Sequence, residues 1–143
     1  MHLYLFIAAR KPLPLKPLGR RHPTFKVEHL QKVDRPVRQH LKNRHLYYIA
    51  SFEGCGCAFS EAPLPSESRT KYALQARSAL KDLTKYLGNA VERCGAVEIY
   101  AVNNNRLGRR PRRRRTVASG ALASPSFRFK EGDLLTLVAG VAS

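Results

Sequence analysis

Two cysteines separated by one glycine, Cys55-Gly56-Cys57, are the residues of this sequence best suited to hold a metal ion. Thiolates are good ligands for soft and borderline cations such as zinc and Cu(I). A closed zinc site needs about four ligands, so other side chains must complete it. One interpretation of the motif is a metal site that holds zinc or copper on Cys55, Cys57, His2 and Glu53.

Two other interpretations of this motif stay open. The two thiols can serve redox chemistry, or the segment is a tight turn in which both cysteines pack as small apolar residues. A C-x-C spacing is also a weaker metal signal than paired C-x-x-C motifs. His2 begins one predicted strand and Cys55 follows the end of another, so a parallel pair separates them and an antiparallel pair brings them together.

The second chemically distinctive segment is a run of six arginines around one proline, residues 109–115. Guanidinium groups grip phosphates with paired donors, and each neutralised phosphate releases counterions. A second basic stretch lies near the N-terminus. The leading functional prediction is therefore non-enzymatic binding of a polyanion, RNA or DNA, through these residues: Arg10, Lys11, Arg20, Arg21, Arg109, Arg110, Arg112, Arg113, Arg114 and Arg115.

The distribution of charge favours the same prediction. The net charge of +16 divides into +9 for residues 1–50, 0 for 51–100 and +7 for 101–143. Such basic surface attracts polyanions strongly. An acidic protein partner would complement this basic surface as well. For the arginine run, the alternative interpretation is a solvated insertion without a binding role. Exposed aromatic side chains for base stacking are not obvious, so we expect the protein to discriminate little between nucleic-acid sequences.

Length and composition point to a single small domain. The chain has 143 residues and no stretch near the roughly 20 apolar residues that cross a bilayer. The apolar N-terminal run lacks a preceding basic region, so we interpret it as a strand and not as a signal peptide. Three cysteines do not make a disulfide framework, and a reducing cytoplasm is expected. No arrangement of residues indicates conventional catalysis, so no catalytic residue is predicted.

The periodicity of apolar residues predicts the elements that must position these groups. Unbroken apolar runs predict three buried strands, and leucines at three- and four-residue steps predict a helix closed by Gly95. A shorter helix is expected to start at Pro36. The ranges are strands over 3–8, 45–51 and 96–102, helices over 36–43 and 70–93, a short strand or helix cap over 24–27, and C-terminal strand segments over 126–130 and 134–138.

Alternation of strands and helices predicts an α/β fold. We expect three main strands in a largely parallel sheet, two covering helices, and a C-terminal edge strand or hairpin. The proline-rich stretch 10–23 is predicted to be an extended basic loop. Residues 103–124 are predicted to be a long arginine-rich loop, and a disordered, solvated insertion is one interpretation of them.

One resemblance rests on the first apolar run together with residues 47–59, which read YYIASFEGCGCAF. In these segments the chain resembles a group of small uncharacterised bacterial proteins with an N-terminal strand, an EGCGC-F segment after a second strand, and a later helix and strand. The resemblance covers roughly residues 1–102. It leads us to expect cysteine in place of His2 in some members, which would retain a metal-capable side chain there. The arginine run does not belong to that pattern.

Overall fold

A computed structural model of the chain describes residues 2–21, 24–59, 70–124 and 126–140. This part of the chain contains a six-stranded sheet, one long α-helix and short 3-10 helices. The strands are β1 (Leu3–Ala9), β2 (Phe25–His29), β3 (His45–Ser51), β4 (Ala96–Asn103), β5 (Arg113–Ala118) and β6 (Asp133–Val138). The helix α1 is Lys71–Cys94, and the 3-10 helices are Lys32–His40, Cys57–Phe59 and Ser119–Ala123.

The strands lie in the order β2-β3-β1-β4-β6-β5. All neighbouring pairs are antiparallel except β5 and β6, which run parallel. The apolar strand β1 sits in the interior of the sheet, where Leu5 faces Ile49 of β3 and Ile7 faces Ile99 of β4. Because both faces of β1 are covered, nearly all of its side chains are buried.

Each face of the sheet carries its own apolar core. Helix α1 covers one face with a stripe that includes Leu83 and Leu87. On the other face Val37, within the 3-10 helix Lys32–His40, packs in a cluster with Phe6 and Tyr100. The sheet is therefore fixed from both sides, and its strand ends are held in defined positions.

The boundaries of α1 follow from its end residues. The Thr70 side chain accepts a hydrogen bond from the Ala73 amide at 3.1 Å, as an N-cap does. The helix closes at Gly95, whose φ of 85° is accessible to glycine at little cost. The predicted helix over 70–93 is therefore present, with its expected terminating glycine.

The predicted count of three main strands and two covering helices is wrong. The sheet has six strands among the described residues, and β6 lies between β4 and β5 instead of at an edge. The second predicted helix, over 36–43, is a 3-10 helix that begins at Lys32 and contains Pro36. Proline lacks an amide hydrogen and does not support an α-helix interior, which accounts for the difference.

The predicted parallel sheet is wrong for a topological reason. Helix α1 does link two strands that run the same way, β3 and β4, as a crossover should. However, β1 lies between these two strands and is antiparallel to both. The pattern of strand, helix and strand could not reveal this insertion, because β1 comes earlier in the chain.

The two basic segments also differ from a simple loop description. Residues 103–124 contain β5 and the 3-10 helix Ser119–Ala123. In the segment 10–23, residues 22 and 23 lie outside the described part, and Lys16 forms a bridge with Val27 of β2. The C-terminal stretch 126–130 is not part of the six strands. No helix in the described part is long and apolar enough to span a membrane.

Candidate metal centre and basic edge strand

A tight turn after β3 carries the two cysteines of the C-x-C motif. Gly54 has a φ of +85°, in the left-handed region that favours glycine. Its amide donates to the Ser51 carbonyl at 2.9 Å, and the Ser51 amide donates to the Cys55 carbonyl at 2.7 Å. These bonds turn the chain back over the end of the sheet, toward the start of β1.

Gly56 allows this turn to lie directly against β1. Its amide donates to the Leu3 carbonyl at 2.6 Å. A Cβ atom built on Gly56 would lie 3.0 Å from that carbonyl oxygen and 3.2 Å from Cγ of Leu5. Glycine therefore permits a closer approach of the two backbones than any side chain would, and it places both cysteines beside the residue that precedes β1.

That residue is His2, and the three side chains converge. Nδ1 of His2 lies 3.6 Å from Sγ of Cys57. The ligand atoms of His2, Cys55 and Cys57 all lie within 4.8 Å of one another. Zinc bound tetrahedrally with ordinary Zn–S and Zn–N bonds holds sulfur and nitrogen ligands about 3.6–3.8 Å apart. The separation of His2 and Cys57 thus matches that of two ligands on one zinc ion, and the Cys55 sulfur lies within 4.8 Å of both.

The backbone of His2 is held by hydrogen bonds beyond the turn. The Asn104 amide donates to the His2 carbonyl at 2.9 Å, and the His2 amide donates to Oδ1 of Asn104 at 3.4 Å. Because β1 is antiparallel to β3, the start of β1 and the end of β3 lie next to each other. This is the antiparallel arrangement in which the sequence predicts that His2 and Cys55 meet.

Burial of the two cysteines is unequal, and this affects their protonation. Cys55 is 5% exposed, Cys57 is partly exposed and His2 is exposed. Burial, together with a hydrogen bond to Cys57, raises the pKa of the Cys55 thiol to about 11. Cys55 is therefore a thiol at neutral pH, and a metal ion must displace its proton to bind. All three cysteines are free.

Glu53, the fourth residue of the predicted set, lies outside the converging group. Its Oε1 accepts a hydrogen bond from the Tyr72 hydroxyl at 2.9 Å. Burial and the neighbouring carboxylate raise the pKa of Tyr72 to about 12, so the tyrosine stays a donor. Cys94 is buried at the end of α1, where its carbonyl accepts from Nε of Arg10 at 2.6 Å.

The last three arginines of the run, Arg113 to Arg115, begin β5, the outermost strand at one edge of the sheet. Nε of Arg113 donates to Oδ1 of Asp133 at 2.7 Å, and an Nη of Arg115 donates to Oδ2 at 3.3 Å. Asp133 is 2% exposed, so these two arginines compensate a buried carboxylate. The alternate residues Arg112 and Arg114 contribute charge near Tyr100, on the opposite face.

The basic stretch near the N-terminus lies away from the arginine run. The predicted contact residues of both stretches are exposed, Arg10, Lys11, Arg20 and Arg21 among them. The first stretch borders β2 through Lys16, whereas the second is β5 at the opposite edge of the sheet. Five strand spacings put roughly 24 Å between these edges. The part of the first stretch that lies beside β2 therefore does not share a groove with β5.

The structure adds residues to the basic edge that sequence reasoning missed. A cavity of about 400 Å³ beside β5 is lined by Arg113, Arg115, Phe127, Arg128 and Lys130, among other residues. Their signal in the sequence was the alternation of aromatic and basic residues over 126–130. The alternation predicts a strand, and the sequence alone does not show that these residues lie beside the arginines of β5.

Comparisons of the chain with protein-family models, with curated proteins and with solved structures give no match. The resemblance to small bacterial proteins therefore stays a prediction. Function has to be argued from the side chains themselves.

Proposed function

We propose that this protein binds one soft or borderline cation, zinc or Cu(I), through His2, Cys55 and Cys57. The observation that carries the proposal is the convergence of two sulfur atoms and one imidazole nitrogen within 4.8 Å of one another. His2 precedes β1, and the two cysteines follow the neighbouring antiparallel strand β3. The close backbone contact between Gly56 and Leu3 brings these two segments together.

The donor set determines which ions suit the site. Two thiolates and one imidazole favour zinc and Cu(I) over hard cations such as magnesium and calcium. Three protein ligands leave the fourth position of a tetrahedral zinc ion to water or to an incoming ligand. Because His2 is exposed and Cys57 is partly exposed, that position faces solvent and the ion is exchangeable. A reducing cytoplasm is the compartment in which both cysteines remain available as ligands.

Competitive titration against a chromophoric chelator, without oxygen and with a reductant, tests the proposal. The wild-type chain is expected to bind one zinc or Cu(I) ion. Cys57→Ser and His2→Gln should each weaken binding by at least about tenfold, since even residues around a metal's ligands contribute that much. Cys94→Ala is the matched control, because it removes a thiol outside the site and should bind as wild type does.

Two results would oppose this proposal. Equal affinity of the wild type and Cys57→Ser would exclude Cys57 as a ligand and refute the proposed three-residue site. If the wild type binds neither metal but mild oxidation links Cys55 to Cys57, the motif serves thiol–disulfide chemistry instead.

A second candidate function is binding of a polyanion, RNA or DNA, at the basic edge strand β5. The observation that favours it is the alternation of arginines at the start of β5. Arg114 and the preceding Arg112 contribute charge near Tyr100, whereas Arg113 and Arg115 pair with Asp133. A backbone phosphate can approach such an edge from either face, and each neutralised phosphate releases counterions.

The salt dependence of oligonucleotide binding tests this candidate. For a single strand, the slope of log K against log salt changes by about 0.7 for each phosphate contact removed. Replacing Arg112 to Arg115 with alanine should therefore flatten the slope markedly. An unchanged slope would remove β5 as the contact. Retention of an acidic protein but not of oligonucleotide would reassign the basic edge to a protein partner.

A further inference from the structure

A cavity beside β5 is lined by both basic and aromatic side chains. It has a volume of about 400 Å³ and lies between β5 and a wall formed by Ser124 and by residues of the stretch 126–130. Val117 of β5 lines it and also packs against the core covered by α1, so the cavity opens on that face of the sheet. Its size lies within the usual range for small-ligand sites.

The cavity wall is cationic. Arg113, Arg115, Arg128 and Lys130 line it, and no acidic residue is among its described lining residues. Asp133 accepts one hydrogen bond from Arg113 and one from Arg115. A guanidinium carries five N–H donors, so this pairing orients both groups while most of their donors remain for an anion. Oriented guanidinium groups suit a phosphate, which accepts paired hydrogen bonds.

An aromatic ring forms another part of the same wall. Phe127 is partly exposed in the cavity and contacts Phe129 edge to face, with ring centroids 5.1 Å apart. Phe129 is buried, and its amide donates to the Phe59 carbonyl at 2.9 Å. The Phe127 ring is therefore held by a fixed neighbour, next to the cationic groups.

We infer that this cavity binds one nucleotide unit of a single-stranded nucleic acid, with its phosphate on Arg113, Arg115, Arg128 and Lys130 and its base on Phe127. The inference rests on the polyanion candidate above and gives it a site. Stacking requires an unpaired base, which favours a single strand over a duplex. Stacking on an aromatic ring also tolerates any base, so the site predicts weak sequence preference.

Fluorescence anisotropy with a short labelled oligo(dT) and, separately, a labelled inorganic polyphosphate tests the inference. Phe127→Leu keeps an apolar side chain but removes the ring face, and should weaken oligo(dT) binding roughly tenfold while leaving polyphosphate binding unchanged. Phe127→Tyr should restore oligo(dT) binding. Both variants are compared at a temperature where their circular dichroism matches that of the wild type.

Two variants that each remove one positive charge distinguish binding in this cavity from binding on the other face of β5. Arg115→Gln removes a cation that lines it, whereas Arg114→Gln removes one from the opposite face. Because Arg115 also pairs with Asp133, the two variants are compared at a temperature where their circular dichroism matches that of the wild type. We expect the first substitution to weaken binding of both probes several-fold more than the second. Equal effects would overturn the placement of the phosphate in the cavity.

The remaining outcomes separate the inference from the candidate it rests on. If Phe127→Leu binds oligo(dT) as the wild type does, the nucleotide site is refuted while polyanion binding stands. If the wild type binds neither probe, the polyanion candidate itself is refuted. Displacement of oligo(dT) by free thymidine monophosphate at low concentration would overturn the assignment to a polynucleotide, because the cavity would then serve free nucleotides.

Discussion

Replacing Gly56 by alanine tests whether the tight contact between the C-x-C turn and β1 creates the metal site. The new Cβ would lie 3.0 Å from the Leu3 carbonyl oxygen and 3.2 Å from Cγ of Leu5. The oxygen belongs to the backbone of a strand paired on both sides, so it cannot yield easily. Overpacking of this kind costs about 1–3 kcal/mol, and we expect the free energy of unfolding to fall by that amount.

The same substitution should also weaken zinc binding. The turn must move away from β1 by several tenths of an ångström, which increases the distance between Cys57 and His2, the residue that precedes β1. Urea unfolding with and without zinc measures both effects, because a bound ligand stabilises the folded state by an amount set by its affinity. The zinc-induced stabilisation should be clearly smaller in Gly56→Ala than in the wild type.

Gly88→Ala is the matched control for this experiment. Gly88 lies within α1, and a Cβ added there meets nothing within 4 Å. Alanine should therefore stabilise the helix by about 0.5–1 kcal/mol and leave zinc binding unchanged. If Gly56→Ala is as stable as the wild type and gains the same stabilisation from zinc, the argument that this contact positions the cysteines is refuted.

Three further predictions concern protonation and the stability of the fold. Zinc affinity should rise with pH through neutrality, because the pKa of Cys55 is raised to about 11 and zinc must displace its proton. The rise should be up to about tenfold per pH unit for each proton displaced. Chelator titrations at two pH values check this, and a flat profile would exclude the Cys55 thiol as a ligand. Glu98→Ala should lower the free energy of unfolding by about 2–5 kcal/mol, because the buried carboxylate accepts three hydrogen bonds from residues 42–43; in urea unfolding Glu98→Gln should cost less, and equal losses would count against this role. Thr70→Ala should cost about 1 kcal/mol through loss of the N-cap of α1, whereas Thr70→Ser should unfold at nearly the wild-type urea concentration.

The sequence predicts well those elements whose signal is local. Helix α1 has leucines at helical spacing, and an N-cap residue and a terminating glycine directly flank it. The apolar runs of β1, β3 and β4 are similarly self-contained. Each of these elements is specified by the residues it contains, so its position can be inferred without knowledge of its neighbours.

Strand β5 shows where local reasoning fails. Residues 113–115 are three consecutive arginines, which carry no alternation and resemble a solvated loop. They adopt a strand because β6 pairs with them and because Asp133, about twenty residues later in the chain, places a buried carboxylate under Arg113 and Arg115. This signal depends on a residue of another strand, so it is invisible until the pairing is known.

The sequence identifies the residues of the candidate metal site but does not show that they lie close together. His2, Cys55 and Cys57 have side chains of the right chemistry, whereas their proximity depends on whether β1 is antiparallel to β3. Glu53 has the right chemistry too, but its carboxylate pairs with Tyr72 of α1 instead. Residue type therefore selects candidates, and strand direction and competing hydrogen bonds decide which of them meet.

X-ray absorption at the zinc edge tests the central claim most directly, because it counts the atoms bound to the metal. For the zinc-loaded protein we predict two sulfur neighbours at about 2.3 Å and one imidazole nitrogen at about 2.0–2.1 Å. The sulfur contribution should halve in Cys57→Ser and stay unchanged in Cys94→Ala. A shell of only oxygen and nitrogen neighbours in the wild type would contradict a metal centre at His2, Cys55 and Cys57.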